Sequence, residues 1–326
     1  MNYNQFLNMM PEVTLMAILL ITFIVDFCTV RRPSSAEGVG KVSHSRPWFN
    51  TLVCVLLAVH ILLNVCPTVP MTVFGGMYHT DASIGVIKTI LALGTLIVVI
   101  QAKEWLSRTD TAFKEGEFYM LVISTLLGMN MMISANHFLL FFLGLEMASV
   151  PMACLVAFDK YRHHSAEAGA KFILTATFSS GVMLYGISFL YGAVGTLYFD
   201  DMATRLTVSP LTIMGMVFFF SGLGFKISLV PFHFWTADSY QGAPTTVTGY
   251  LSVVSKGAAA FTLCVILMKV FASMVEYWQY LIYIVIVLSI TIANLFAIRQ
   301  SELKRFMAFS SISQAGYIML AVIGNS

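Results

Sequence analysis

About ten apolar runs of roughly 20 residues each divide this chain, and they constrain its fold more than any other feature. A helix needs about 20 predominantly apolar residues to cross the hydrocarbon core of a bilayer. Inside that core every backbone polar group must find an internal partner, which a helix provides. The runs cover residues 7–28, 49–66, 82–102, 117–135, 137–158, 167–191, 210–235, 244–268, 277–298 and 303–323. The sequence therefore predicts an all-α integral membrane protein with about ten transmembrane helices.

The composition agrees with that class and excludes several functions. Of the 326 residues, 58% are hydrophobic and 10% are charged, which is more apolar surface than a soluble fold of this size can bury. The net charge of +2 comes from cations in short connections, so we infer neither nucleic acid nor an acidic substrate as a partner. The five cysteines form no CxxC or Cys/His cluster, and the chain has no nucleophile motif or phosphate loop. We predict that this chain binds no metal or cofactor and has no catalytic residues of its own.

The cations between the runs predict how the chain is oriented, because Lys and Arg remain preferentially on the cytoplasmic side of a membrane. If the chain crosses once per run, one side carries Arg31, Arg32, Lys41, Arg46, Lys103, Arg108, Lys114, Lys160, Arg162, Arg299, Lys304 and Arg305. The other side carries only Arg205 and Lys269. This asymmetry predicts an N-terminus outside the cell.

Charged residues inside the runs are the candidate functional residues. Glu146, Lys226 and Lys256 lie near the centres of their runs, and Lys171 lies about one turn from the cytoplasmic end of its run. Insertion scales assign a penalty of ~2.5 to 3.5 kcal/mol to a Lys or Asp at a helix centre. Burial disfavours the charged form of an amine, whereas a nearby carboxylate favours it. If a conformational change separates Lys226 from Glu146, the lysine tends to release its proton, and another buried lysine can receive it. We predict that Glu146, Lys171, Lys226 and Lys256 form a proton relay.

The charged residues inside the apolar runs can also be explained without proton transfer. The alternative to the relay is a static buried ion pair of Glu146 with Lys226 that fixes helix register, with a third lysine reaching an interface. Lys88, closer to the end of its run, is expected to extend its amine to an interface. Glu12 lies near the outer end of the first run, so it is expected to find partners at the lipid headgroups. We assign it no functional role.

The seventh run is predicted to be discontinuous. Gly222 and Gly224 precede Lys226, and Pro231 follows it, so the helix should break in its cytoplasmic half. Broken helices at membrane depth occur where protein or a water-filled cavity satisfies the freed backbone groups, and transporters use them at ion sites. Farther along this stretch, His233 and Asp238 approach the predicted cytoplasmic face, where they are candidates for proton uptake, and Trp235 would mark the interface.

The motifs of this chain resemble those of one family. They read MPEVTL near the start, then FLGLEMASVPMACLVAF, SAEAGAKFIL, LYGISFLYGAVGTL, LGFKISLVPFHFWTADSYQGAPTTVTGYLSVVSKGAAAF and ELKRFMAFSSISQAGYIMLA. Over nearly the whole length they are similar to subunit N of the proton-pumping NADH-quinone oxidoreductases, an antiporter-like membrane subunit of respiratory complex I.

The resemblance implies specific roles. Glu146 would be the essential acid and Lys226 its partner on the broken helix, with Lys171 near that pair and Lys256 the central lysine of the eighth span. It implies an N-terminal three-helix segment at 1–115, a first five-helix antiporter-like repeat at 116–270 and an incomplete second, inverted repeat at 271–326. Relative to the family the chain is expected to be truncated at its C-terminal end, as a fragment or as one part of a split protein.

The resemblance also implies a cellular setting. The chain would lie in the bacterial inner membrane among the other membrane and peripheral subunits, including antiporter-like paralogues. NAD, FMN, iron-sulfur clusters and quinone would belong to other subunits. Two alternatives remain: a subunit of a multisubunit monovalent cation/proton antiporter that uses the same lysines, and a structural membrane subunit that conducts nothing.

Overall fold

The computed structural model describes residues 9–29, 46–65, 70–108, 111–159 and 162–324. Within these ranges, 9 helices are long and apolar enough to cross a membrane, and Trp48–Asn64 is a shorter apolar helix. The prediction of about ten transmembrane helices is confirmed. The helices are α1 Met10–Thr29, α2 Pro47–Asn64, α3 Ala82–Leu106, α4 Glu115–Ile133, α5 Phe138–Val156, α6 His163–Val194, α7 Phe199–Arg205, α8 Pro210–Ile227, α9 Phe234–Gly242, α10 Thr245–Lys269, α11 Val275–Ile298 and α12 Leu303–Gly324.

A small hairpin interrupts the helical pattern between α2 and α3. Strands β1 (Met71–Val73) and β2 (Tyr78–Thr80) pair in antiparallel fashion. Two backbone contacts, Tyr78 with Ala135 and the His79 N–H with the Ser134 carbonyl at 2.8 Å, connect the hairpin to the end of α4. The hairpin therefore links the first three helices to the rest of the bundle. The sequence did not predict it, because strands of three residues leave no periodic pattern.

The helix ends gather on two faces of the bundle. The basic face is defined by the described cations Arg46, Lys103, Arg108, Lys114, Arg162, Arg299, Lys304 and Arg305. The hairpin face is defined by β1, β2, the short helix α7 and Lys269, which forms an ion pair of 2.6 Å with Asp200 of α7. Arg31, Arg32, Lys41 and Lys160, also predicted on the basic side, lie outside the described residues.

Two glycines bring α4 and α5 into backbone contact. A Cβ atom on Gly128 would lie 2.5 Å from the Ala148 nitrogen, and one on Gly144 would lie 2.5 Å from the Met132 nitrogen. Small residues at such positions allow membrane helices to approach closely. The contact fixes the position of α5, which carries Glu146.

The seventh apolar run is broken as predicted. Helix α8 ends at Ile227, and Ser228 takes a left-handed conformation with φ of 70°. A turn that contains Pro231 follows, and α9 begins at Phe234. Lys226 thus occupies the last turn of α8, beside the break.

Candidate functional site

The break after α8 is stabilised by groups from three parts of the fold. Within the break, the Leu229 N–H donates to the Gly224 carbonyl at 2.9 Å. The Val230 N–H donates to Ser289 Oγ of α11 at 3.0 Å. The Trp235 indole N–H donates to the Phe225 carbonyl at 3.0 Å. Unsatisfied backbone groups at membrane depth cost several kcal/mol each, so these partners stabilise the interrupted helix.

Gly222 has a different role from the one that the sequence suggested. A Cβ atom there would lie 2.4 Å from Met183 Cβ and 2.9 Å from the Ser179 carbonyl oxygen. The Ser179 hydroxyl also donates to the Gly222 carbonyl at 3.1 Å. Gly222 therefore lies inside a regular helix and permits close packing of α8 on α6, while the break itself falls later in the chain.

Glu146 and Lys226 do not form an ion pair among the described contacts. The Lys226 amine donates to Ser149 Oγ at 2.7 Å, and Ser149 follows Glu146 by three residues, so both lie on one side of α5. Glu146 Oε1 instead accepts a hydrogen bond of 2.5 Å from Ser180 of α6. Lys226 is 5% exposed and also faces the Phe172 ring at 5.9 Å. The acid and the amine are therefore each bound by a serine hydroxyl, and the two bonds meet on one side of α5.

Lys256 is held by a hydroxyl as well. Its amine donates to Ser311 Oγ of α12 at 2.7 Å, and it lies 5.4 Å from the centre of the Tyr240 ring. The Tyr240 hydroxyl is 3.3 Å from the same Ser311 Oγ. A π-helical segment, Leu251–Ser255, directly precedes Lys256 in α10. Single π-turns inside helices are frequent at functional sites, and this one sets the direction of the lysine.

Asp238 joins three helices at the basic face. Its carboxylate accepts from Lys171 of α6 at 2.7 Å and from Arg305 of α12 at 2.9 Å. These groups line a polar cavity of about 270 Å³ together with His164, Glu167 and Gln241. Partial burial would by itself raise the pKa of the Asp238 carboxyl, but the hydrogen bonds from Lys171 and Arg305 outweigh it and hold the pKa below its usual range.

Lys171 is therefore separated from the residues that it was expected to join. Its side chain is 46% exposed and pairs with Glu167 at 2.8 Å and with Asp238. The expectation of a lysine beside Glu146 and Lys226 is not met. One helical turn from the end of its apolar run, Lys171 reaches the carboxylates of the basic face instead.

The two candidates for proton uptake differ in position. Asp238 lines the polar cavity of the basic face, which is the position expected for it; its role in proton uptake stays a prediction. His233 is buried at 5% exposure beside the helix break, so it does not open on that face. Its Nδ1 atom has no hydrogen-bond partner among the described residues. Trp235, expected at the interface, is also buried, because its indole satisfies a carbonyl freed by the break.

The expectations for Lys88 and Glu12 are wrong. Lys88 does not reach an interface, and Glu12 does not reach the headgroups, since both are 2% exposed. They form an ion pair with 2.5 Å between Lys88 Nζ and Glu12 Oε1. Their separation of 76 positions in the chain explains why sequence reasoning did not join them.

Sequence reasoning also missed three serines. Ser149, Ser180 and Ser311 bind Lys226, Glu146 and Lys256, respectively. A serine in an apolar run carries little signal, although the spacing of Ser149 from Glu146 already placed the two on one helix face. Within the described residues, no group of three or more His, Cys, Asp or Glu side chains is arranged to hold a metal ion.

A broken helix with a buried amine beside the break, inside a multi-pass helical bundle, is typical of membrane ion transporters. The family described as NADH:quinone oxidoreductase/Mrp antiporter, TM matches residues 135–326, which are more than half of the chain. The chain belongs to this family.

Curated relatives make the resemblance more specific. A protein of Phocaeicola vulgatus named NADH-quinone oxidoreductase subunit N is 59% identical over 326 residues, which are 100% of this chain and 66% of the relative. A protein of the same name from Azobacteroides pseudotrichonymphae is 46% identical over 329 residues, again 100% of this chain and 66% of the relative. The resemblance to subunit N is confirmed, and the chain spans about two thirds of the length of these relatives.

Solved structures have the same fold. A chain of respiratory complex I from Thermus thermophilus, solved with bound aureothin, superposes with a TM-score of 0.75 at 28% identity, over 96% of this chain and 64% of that one. A chain of the Mrp complex from Dietzia superposes with a TM-score of 0.78 at 17% identity, over 99% of this chain and 59% of that one. The second likeness concerns the fold alone.

Proposed function

We propose that this chain is a proton-translocating membrane-arm subunit of a NADH-quinone oxidoreductase. One observation carries the proposal: among the described residues, the buried amines of Lys226 and Lys256 are bound by serine hydroxyls and not by carboxylates. A carboxylate partner would favour a permanent ammonium, whereas a hydroxyl accepts a hydrogen bond from an ammonium and donates one to a neutral amine. This arrangement supports proton exchange over a static ion pair.

Proton uptake would begin in the polar cavity of the basic face. Asp238 and Lys171 would exchange protons with water there, and internal water would carry the proton from the cavity to the buried Tyr240 hydroxyl. The hydroxyls of Tyr240 and Ser311 then lead to Lys256, with 3.3 Å between the two oxygens and 2.7 Å from Ser311 to the amine. Hydroxyls serve as both donors and acceptors, so this chain of groups can pass a proton inward.

Glu146 would control the proton affinity of Lys226. A carboxylate near an amine favours the charged form, and movement of the carboxylate away disfavours it. The short α5 segment from Glu146 to Ser149 holds both partners, so a small shift of α5 relative to α8 changes the distance between the charges. His233, buried beside the break, would be the third titratable group at this point.

The rest of the assembly is proposed by analogy with the relatives. The chain would lie in a bacterial inner membrane with its basic face towards the cytoplasm and its N-terminus outside, among other membrane and peripheral subunits that include antiporter-like paralogues. NAD, FMN, iron-sulfur clusters and quinone would be held by those other subunits. Residues 1–115, 116–270 and 271–326 would be the N-terminal segment, the first antiporter-like repeat and part of a second, inverted repeat.

A cation/proton antiporter subunit would use the same lysines. The relatives named as subunit N at 59% and 46% identity favour the redox complex, because the likeness to the Mrp chain is only 17% in sequence.

The proposal is tested with Glu146→Gln in the intact complex, reconstituted into sealed vesicles. We expect fewer protons moved per electron, with quinone reduction largely retained, because the change affects a proton affinity and not a redox centre. Glu104→Gln, an exposed position of α3, is the matched control. A native proton-to-electron ratio in Glu146→Gln, or equal loss of both activities with poor assembly, would contradict the proposal.

A further inference from the structure

We propose that an apolar cavity beside the helix break binds the end of a phospholipid acyl chain near the centre of the membrane. The cavity has a volume of about 190 Å³ and lies between α6, α8 and the start of α9. None of the four residues of the proposed relay lines it, and it is distinct from the polar cavity of the basic face. The inference does not depend on the proposed function, because binding of a lipid chain requires no proton transfer.

The cavity opens on the outer surface of the bundle at membrane depth. Two of its lining residues, Phe178 of α6 and Phe234 at the start of α9, are 76% and 77% exposed. Phe178 lies midway between the ends of α6. Leu174, one helical turn earlier on the same face, is also mostly exposed. The cavity is therefore continuous with the apolar outer surface of α6 at the depth of the hydrocarbon core.

The lining of the cavity offers no free hydrogen-bond donor among the described residues. Thr175, Ser179 and Ser221 each donate the hydroxyl hydrogen to a backbone carbonyl, at 2.5, 3.1 and 2.8 Å, respectively. The indole N–H of Trp235 donates to the Phe225 carbonyl. The other lining residues are apolar. A polar headgroup would lose its hydrogen bonds on entering this cavity, whereas a hydrocarbon chain has none to lose.

The size of the cavity fits a flexible hydrocarbon chain. An apolar void of about 150 Å³ stays dry and binds benzene, so the volume here is sufficient for the end of an acyl chain. A transmembrane helix is about 10 Å across with its side chains and is too wide to enter. An empty void would leave the surrounding side chains without dispersion contacts on one side. Since lipid acyl chains surround a membrane protein at this depth, we assign the cavity to one of them.

The bound chain would contact both sides of the helix break. Phe225 lies in the last turn of α8 and Trp235 in the first turn of α9, and both line the cavity with their ring centres 5.2 Å apart. Trp235 also packs against Phe172 with 5.1 Å between the ring centres, and the Phe172 ring faces the Lys226 amine. The acyl chain would therefore support the aromatic packing that surrounds the break.

Photolabelling of the intact complex tests this assignment. The complex is reconstituted into phosphatidylethanolamine vesicles containing a phosphatidylcholine whose palmitoyl chain carries a diazirine near its methyl end. After irradiation, mass spectrometry locates the labelled residues of this chain. We expect several-fold more label at Phe178, Val182 and Ser221 than at Val287, which is exposed near the centre of α11 and lies outside the cavity. The same lipid with the diazirine near the carboxyl end of the chain should not label the cavity, because that group stays near the headgroups.

Two variants fill the cavity from opposite walls. Ser221→Phe places a ring in it from α8, and Val182→Phe does so from α6. We expect each variant to lose most of the label in the cavity and to keep the label at Val287. Met214→Phe adds the same ring at an exposed position of α8 outside the cavity, and it should label like the native chain.

Three results would overturn the inference. The first is native labelling of the cavity that is no stronger than at Val287. The second is full labelling of the cavity in an assembled Ser221→Phe or Val182→Phe complex. The third is loss of the label when excess quinone is added, since the occupant would then be an isoprenoid tail. If neither filled variant assembles while Met214→Phe does, the comparison of the two diazirine positions in the native complex decides.

Discussion

Lys256 Nζ of α10 lies 2.7 Å from Ser311 Oγ of α12, so the central lysine is bound by a residue that follows it by 55 positions in the chain. The Tyr240 hydroxyl approaches the same oxygen at 3.3 Å. Ser311 is therefore the point where the polar groups of α9, α10 and α12 meet. The Ser311 hydroxyl can form a hydrogen bond with the lysine in either protonation state, because it accepts from an ammonium and donates to a neutral amine.

Ser311→Ala should slow proton delivery to Lys256. The change removes the only hydrogen bond that the structure shows for this amine within the described residues and interrupts the connection to Tyr240. Loss of a hydrogen bond to a charged group costs about 1.5 to 3 kcal/mol, so we expect a clearly reduced pumping rate in vesicles at similar quinone reduction. Ser310→Ala, the preceding serine of α12, is the matched control. Equal pumping in the two variants would remove Ser311 from the path.

Gly222→Ala should destabilise the packing of α8 on α6. The added Cβ would lie 2.4 Å from Met183 Cβ and 2.9 Å from a backbone carbonyl, so the helices must move apart. Overpacking of this kind costs about 1 to 3 kcal/mol. Thermal unfolding of this chain in the purified complex can be monitored by limited proteolysis. The unfolding midpoint of Gly222→Ala should be lower than that of the native chain. Gly181→Ala, where the new Cβ meets nothing within 4 Å, should leave the midpoint unchanged or raise it slightly. Similar midpoints for the two would contradict the packing argument.

The ion pairs of Asp238 should make stability depend on pH in one direction. Because the folded-state pKa of Asp238 lies below the unfolded value, the pairs stabilise the fold fully above roughly pH 4 and lose this effect as the pH falls through the folded pKa. Partly exposed pairs contribute about 1 kcal/mol at most. Unfolding midpoints at pH 7 and well below pH 4 should therefore differ less in Asp238→Asn than in the native chain. A variant that retains the full acid sensitivity would show that other carboxylates account for it.

The sequence predicted the features that depend on local pattern and hydrophobicity. Run length predicted the helices, and Pro231 predicted the break after Lys226, which the structure places at Ser228. Gly222 was part of the same prediction, but it serves the packing of α8 on α6. The central positions of Lys226 and Lys256 in their runs also predicted their burial.

Features that depend on which helices touch were not predicted. Burial of Lys88 requires Glu12 from another helix and Tyr78 from a hairpin, and no local pattern contains that pairing. The serine partners of Lys226 and Lys256 were not predicted for the same reason, since each lies on a different helix from its lysine. Lys171 was misjudged because its partner Asp238 lies on a separate helix beyond the break.

The central claim is that the buried amines bind and release protons during turnover, and Lys226→Met tests it most directly. Methionine preserves the length of the side chain and removes the titratable group beside the broken helix. The measurement is the number of protons moved per electron by the intact complex in sealed vesicles, with assembly and quinone reduction determined on the same sample. We predict a reduced ratio in a fully assembled complex that still reduces quinone. A native ratio in Lys226→Met would contradict the account.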